Sequence, residues 1–151
     1  FAADLGAQWK TPLRGLALGC AVQNLGQGVK FEQERDPLPL TWRGGASWSW
    51  LLASAAEGSA ETYLTETRLL TSADAVKVRD EPTIAALGAE LAIGFGADTS
   101  IALRAGLRLN SYADRLTFGL GVREGRYTLD YALGEKRALG HIHHAGLGVR
   151  F

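Results

Sequence analysis

The stretch that decides the fold is IALRAGLRL, residues 101–109. Every second residue in it is apolar, and the residues between are small or basic. Successive side chains of a β-strand point to opposite faces of a sheet, so this alternation predicts a strand with one apolar face. A helix would also place Arg104 and Arg108 on one side, but Gly106 and the strict alternation around it favour a strand.

The same alternation recurs along the chain and predicts nine strands. They are long for a soluble sheet, whose strands average about 5–6 residues, and they match the roughly 9–11 residues of a tilted transmembrane strand. The pattern is least regular in the fourth segment. The predicted strands cover residues 1–9, 16–25, 42–52, 60–70, 87–95, 101–109, 115–122, 126–133 and 141–151.

The predicted connections alternate in length. Tight turns at 96–99 and 123–125 fall at one end of the strands, and long connections at 26–40 and 71–82 fall at the other. Outer-membrane barrels have short periplasmic turns and longer extracellular loops. We therefore expect the strands to cross a bacterial outer membrane, with Phe151 on the periplasmic side.

Aromatic residues are predicted at both ends of the strands, on the apolar face. Outer-membrane barrels carry two aromatic girdles, where rings meet the lipid headgroups. The periplasmic set is Trp9, Trp50, Phe95, Tyr127 and Phe151, and the opposite set is Phe1, Trp42 and Tyr131.

The other face of the predicted strands combines charges of both signs with many glycines, as the lumen of a barrel does. Two interpretations are open. The charges could form a polar pathway or a binding surface for a plug, or they could form an internal salt-bridge network that fills the barrel, which we favour. The lumen-facing candidates are Arg43, Glu90, Arg104, Arg108, Arg115 and Asp130.

Composition argues against several classes of function. Lys and Arg number 16 and Asp and Glu number 16, so the net charge is zero and a nucleic-acid partner is not expected. Cys20 is the only cysteine, which excludes an internal disulfide. His141 and His143 share a face opposed by His144, with no adjacent Cys or carboxylate to complete a zinc site. We predict no metal, no cofactor and no catalytic residue.

The last strand places Leu147, Val149 and Phe151 on one face. A terminal Phe after this pattern resembles the sorting signal that the barrel-assembly machinery reads on outer-membrane proteins. Nine strands is an odd count, whereas bacterial single-chain barrels have even numbers. We therefore expect residues 1–151 to be one segment, the C-terminal part of a larger barrel.

Several stretches resemble the C-terminal half of the outer-membrane proteins grouped as the PorV/PorQ family, within the FadL-like fold. They are FAADLGAQW (1–9), LALGCAVQNLG (16–26), PLPLTWRGGASWSW (37–50), LGAEL (87–91), LRAGLRL (103–109) and LDYAL (129–133).

The resemblance implies a fourteen-stranded barrel that is not an enzyme. The sequence thus predicts an all-β antiparallel meander of nine long strands within a transmembrane barrel, surrounded by outer-membrane lipid. The implied function is protein secretion or surface attachment, with secreted proteins as partners. The alternatives are FadL-like transport of hydrophobic small molecules and, without a membrane, a soluble antiparallel β protein.

Overall fold

The computed structural model describes residues 1–31, 34–54, 64–110, 114–136 and 140–151. Within these ranges no helix is long and apolar enough to cross a membrane. The regular structure consists of β-strands. They are β1 (Ala2–Lys10), β2 (Leu16–Gly26), β3 (Val29–Phe31), β4 (Glu34–Asp36), β5 (Thr41–Ser54), β6 (Leu64–Val78), β7 (Ile84–Phe95), β8 (Thr99–Leu109), β9 (Asp114–Glu124), β10 (Tyr127–Lys136) and β11 (Gly140–Val149).

Nine of these strands form one antiparallel sheet in the order β1-β2-β5-β6-β7-β8-β9-β10-β11. The predicted all-β antiparallel meander is confirmed. The strands β3 and β4 form a separate hairpin within the connection between β2 and β5. In the described part of the chain, β1 and β11 lie at opposite edges and do not pair with each other, so the sheet is open. We call the end at which β1 and β11 finish the lower end.

The strand register keeps the apolar residues of neighbouring strands together. Leu91 of β7 is opposite Leu103 of β8, which is opposite Leu120 of β9. One residue away along each strand, Glu90, Arg104 and Gly119 form the neighbouring row. Since side chains alternate across a strand, these two rows lie on opposite sides of the sheet. We call the side of Leu103 the apolar face and the side of Arg104 the polar face.

No hydrophobic residue in the described ranges is buried, and Thr41 is the one polar residue that is. The apolar face is open: Leu103 is 50% exposed, Leu129 57% and Leu147 77%. A soluble domain covers the apolar face of a sheet with a second layer of strands or helices. The described chain has no such layer, so its apolar face requires a cover from outside.

The strands are staggered. One row of paired residues crosses the whole sheet from Lys10, the last residue of β1, to Ile142, the third residue of β11. From Ile142, β11 continues seven residues further, to Val149. On β5 the same row passes through Ser47, which is already seven residues above the last residue, Ser54, and β5 to β11 all end at nearly the same level below the row. Most of the displacement arises between β2, which begins at Leu16, and β5, which ends at Ser54.

The fourth predicted strand, 60–70, and the long connection predicted at 71–82 are wrong in their boundaries. Strand β6 runs from Leu64 to Val78, and the following turn is confined to 79–83. The small and polar residues around Asp74 suggest a loop by composition, yet they continue the alternation, and Asp74 pairs with Gly45 and Ala86. The difference in length between the two sets of connections therefore rests on residues 27–40.

The other deviations from the predicted strands are smaller. The predicted connection 53–59 overlaps the end of β5, and its remaining residues lie outside the described ranges. Tyr131, predicted at the upper end, is the fifth residue of β10 and lies at mid-strand. Trp42 and Phe1 lie at the upper end as predicted.

The long connection at 27–40 is held at its base by a small hydrogen-bond network. The backbone of Asn24 has a φ of 61°, and its side-chain amide donates to the carbonyl of Pro39 over 2.9 Å. The Thr41 hydroxyl donates to the same carbonyl at 2.9 Å. The Arg79 amide donates to the carbonyl of Leu40 at 2.8 Å. These bonds tie residues 37–40 to the upper ends of β2, β5 and β6.

We expect Asn24→Ala to loosen this connection more than Asn24→Gly. Both changes remove the side-chain bond to Pro39, but only alanine is strained at a positive φ, which costs roughly 1–2 kcal/mol. The rate at which a protease cuts within residues 27–40 measures the difference. Equal cleavage of the two variants would contradict the role of backbone conformation at this position.

Candidate functional site

Five of the predicted lumen-facing residues lie together on the polar face. Glu90 is directly opposite Arg104. Asp130 is opposite Gly121, in the next row of the polar face towards the lower end. Arg108 is opposite Ala86, and Arg43 is opposite Val76, towards the upper end. The sixth candidate, Arg115, belongs to β9, but its side chain lies outside the described part of the structure.

The centre of the site is an ion network formed by Glu90, Arg104 and Asp130, which we call the Arg104 network. The Nε atom of Arg104 donates to Glu90 Oε2 over 2.6 Å. Its Nη1 atom donates to Asp130 Oδ1 over 2.6 Å. Glu90 lies on β7, Arg104 on β8 and Asp130 on β10. One guanidinium therefore connects three strands and reaches over the whole width of β9.

This reach depends on two glycines of β9. A Cβ atom on Gly119 would lie 3.3 Å from Cβ of Arg104. A Cβ atom on Gly121 would lie 2.7 Å from Asp130 Oδ1, closer than real Cβ contacts, and 3.0 Å from Nη1 of Arg104, which is a tight contact. The two glycines thus leave the channel that the arginine side chain occupies. The glycine-rich polar face predicted from the sequence has this steric basis.

The Arg104 network is partly open to solvent. The side chains of Glu90, Arg104 and Asp130 are 32%, 43% and 45% exposed. Ion pairs at such exposure contribute about 0–1 kcal/mol each, because water screens the charges. One cation between two carboxylates leaves one negative charge, and each carboxylate accepts a bond from the guanidinium. This geometry suits bracing between strands, in agreement with the interpretation favoured from the sequence.

A concave trough of about 690 Å³ lies on the polar face above the Arg104 network. Small residues of β2, β5 and β6 form most of its floor, and Arg43, Asp74 and Arg108 provide its charges. Asp74 packs against Gly45, where a Cβ atom would collide with its carboxylate. Sequence reasoning missed Asp74 because residues 71–82 were interpreted as a loop. The alternation of the polar Ser72 and Asp74 with Ala73 and Ala75 was the signal that could have identified it.

A second charged depression lies at the lower end of the polar face. Its lining includes Glu66, Arg68, Arg123, Arg150 and the turn residue Asp98. Arg68 forms an ion pair with Glu66, with a distance of 2.5 Å between Nη2 and Oε1. These residues were not singled out as site candidates, because Glu66 and Arg68 fall within the predicted strand of least regular pattern.

The histidines divide between the two faces, as the alternation predicts. His143 is opposite Leu133 on the apolar face, whereas His144 is opposite Ala132 on the polar face. The hydroxyl of Tyr131 lies 2.6 Å from Nδ1 of His143, at hydrogen-bond distance. In the described ranges, no three His, Cys, Asp or Glu side chains lie close enough together to hold a metal ion.

The residues of the predicted sorting signal lie at the lower end of β11. Leu147 is opposite Leu129 and Val149 is opposite Tyr127, so both belong to the apolar face. Phe151 follows the end of the strand and is exposed. The placement agrees with the sequence pattern, while the role as a signal stays a prediction.

Comparison of the chain with protein-family models, with curated proteins and with solved structures finds no match in any of the three. The resemblance to the PorV/PorQ family therefore stays a prediction. What this chain does has to be inferred from the two faces of its sheet.

We expect Gly121→Ala to break the bond between Arg104 and Asp130 and to lower the free energy of unfolding by about 1 kcal/mol. The matched control is Gly146→Ala in β11, where an added Cβ would meet only Cβ of Asp130 at 3.9 Å. Urea unfolding in detergent micelles, followed by tryptophan fluorescence, measures both variants. In an Asp130→Ala background the cost of Gly121→Ala should largely disappear. An unchanged cost there would show that the glycine acts independently of the Arg104 network.

Proposed function

We propose that residues 1–151 form part of a transmembrane β-barrel in a bacterial outer membrane. The observation that carries this proposal is the extended, uncovered apolar face on a sheet of long strands, opposite a face of charges and glycines. Fully burying one Leu or Phe side chain contributes roughly 1.5–3 kcal/mol. A lipid bilayer covers this whole face at once, as the described chain itself does not. The soluble alternative leaves the same face in water.

The aromatic side chains at the lower end are a further support. Trp9 and Phe95 lie at the ends of β1 and β7, and Tyr127 begins β10. All three belong to the apolar face. Phe95 and Tyr127 lie in one row at the lower end, where rings would mark the boundary between hydrocarbon and headgroups. Trp9 lies eight residues higher in the register than Phe95, and Trp50, predicted for the same girdle, lies at mid-sheet in the row of Leu103.

The open edges define what a complete barrel would need. Backbone groups cannot stay unpaired in lipid, so β1 and β11 both require a neighbouring strand. In a meander of nine strands, β1 and β11 run in the same direction. An antiparallel barrel therefore closes only with an odd number of additional strands. Five additional strands would give the fourteen that the resemblance implies.

Within such a barrel we propose a non-enzymatic role in protein secretion or surface attachment, as the resemblance to the PorV/PorQ family suggests. Its partners would be outer-membrane lipid, the barrel-assembly machinery through β11, and secreted proteins. The alternative is FadL-like transport of hydrophobic small molecules.

We expect the full-length protein, purified from outer-membrane fractions, to migrate faster in SDS gels before boiling than after. A closed barrel resists SDS and stays compact until it is heated. The same gel mobility before and after boiling, for protein recovered from a soluble fraction, would refute the membrane proposal. Retention of a secreted protein under mild detergent extraction would then distinguish secretion from transport.

We expect Leu103→Arg to impair insertion by roughly 2–4 kcal/mol, since Leu103 lies at mid-strand on the apolar face. The matched control is Ala102→Arg, the same charge one residue away, on the polar face between Ala92 and Gly121. The folded fraction in lipid vesicles, determined from the heat-shifted band, measures both. Equal effects of the two substitutions would contradict the assignment of the faces.

A further inference from the structure

The apolar face is interrupted by polar groups on β10 and β11. Tyr131 is the fifth residue of β10 and His143 the fourth residue of β11, so both lie near mid-strand. The phenol hydroxyl and the imidazole Nδ1 are 2.6 Å apart, and the ring centroids are 6.0 Å apart. In the row of Tyr131, the preceding strands carry Leu120 and Leu103. Tyr131 and His143 thus lie at a level of the sheet where the neighbouring strands carry leucines on this face.

Polar groups at this depth are unfavourable against lipid and mark contacts with protein. In lipid, the hydrophobic effect does not drive membrane segments together. Hydrogen bonds between polar side chains and close packing at small residues stabilise their association instead. We propose that the apolar-face side of β10 and β11 is the contact between two copies of this chain. The proposal rests on the membrane-barrel function proposed above and names one partner of that barrel.

This side of β10 and β11, which we call the patch, is complementary to itself. Two barrels in one membrane keep the same orientation when a twofold axis runs along the membrane normal, approximately along the strands. Such an axis places β10 of one copy opposite β11 of the other, at equal heights. Each residue of β10 then faces, in the second copy, the same β11 residue that is its cross-strand partner within its own copy.

The cross-strand partners in this patch are pairs of different residue types, and such pairs fit a contact of this kind. Glu135 is opposite His141, so the twofold axis brings the carboxylate of one copy to the imidazole of the other, twice. Tyr131 is opposite Ala145, so the ring of each copy meets a small side chain. All four residues are exposed in the single chain. Charge and shape therefore complement each other between identical copies without any other protein.

The lower part of the patch is apolar. Leu129 is opposite Leu147 there, and both are exposed. The upper part supplies specificity through polar pairs, and the lower part supplies close packing. Lipid tails would cover the leucines, but they would not place an imidazole against Glu135 or a carboxylate against His141, as a second copy does.

The experiment is chemical cross-linking of the full-length protein in outer membranes. In a Cys20→Ser background, which removes the exposed native thiol, Ala145→Cys is treated with a short bismaleimide. We expect a product of twice the monomer mass. The matched control is Ala105→Cys, an exposed alanine on the apolar face of β8, which should give none. Equal yields at the two positions, or no product from Ala145→Cys, would overturn the proposal.

A second pair of variants tests the polar groups. Adding His143→Leu or Tyr131→Phe to the Ala145→Cys protein should lower the cross-linked fraction about threefold or more. An unchanged or higher fraction would refute a role for the pair, because both changes make the face more apolar. Heat-shifted mobility is recorded for every variant. A heat-shifted protein without cross-links refutes only the dimer, whereas loss of the heat shift in the parent refutes the barrel as well.

Discussion

The structure depends on a single constraint: nine strands alternate apolar and polar residues, but the described residues provide only one layer. A sheet with an apolar face is stable in water only if something covers that face, and here Leu103, Leu129 and Leu147 stay exposed. Within the sheet the backbone satisfies its hydrogen bonds between strands, so the remaining requirements are cover for the apolar face and partners for the two edge strands. In the proposed barrel a bilayer would cover the whole apolar face, and a second copy would cover β10 and β11, where lipid would be a poor cover.

The polar face has its own physical logic, in which glycine and arginine depend on each other. Arg104 can reach Asp130 across β9 because Gly119 and Gly121 lack side chains. Asp74 can lie against β5 because Gly45 lacks one. The long side chain of Arg104 therefore lies along the sheet, and its ion pairs link β8 to its neighbour β7 and to β10, which is not its neighbour. Such links limit how far adjacent strands can shear, which matters in a sheet without a buried core.

Some features of the sequence anticipated this arrangement and others concealed it. The alternation around Arg104, Glu90 and Asp130 placed them on one face, and the structure brings them within hydrogen-bond distance. Composition concealed β6, since Thr-Ser-Ala-Asp-Ala is typical of a loop when its partners are unknown. In the sheet, the same residues pair with β5 and β7 on both sides. Tyr131 was expected at a membrane boundary, whereas the register places it at mid-strand, beside His143.

The sequence by itself determined the fold class, the order of the faces along each strand and the mixture of charges and glycines on the polar face. These follow from a period of two, which is local and depends on no distant contact. Only the tertiary structure decided which charges meet, how far the strands are staggered and where β6 ends. Those properties depend on register between strands, and register is fixed by pairing with neighbours that lie far apart in the chain. Arg104 and Asp130, 26 residues apart, are joined for that reason.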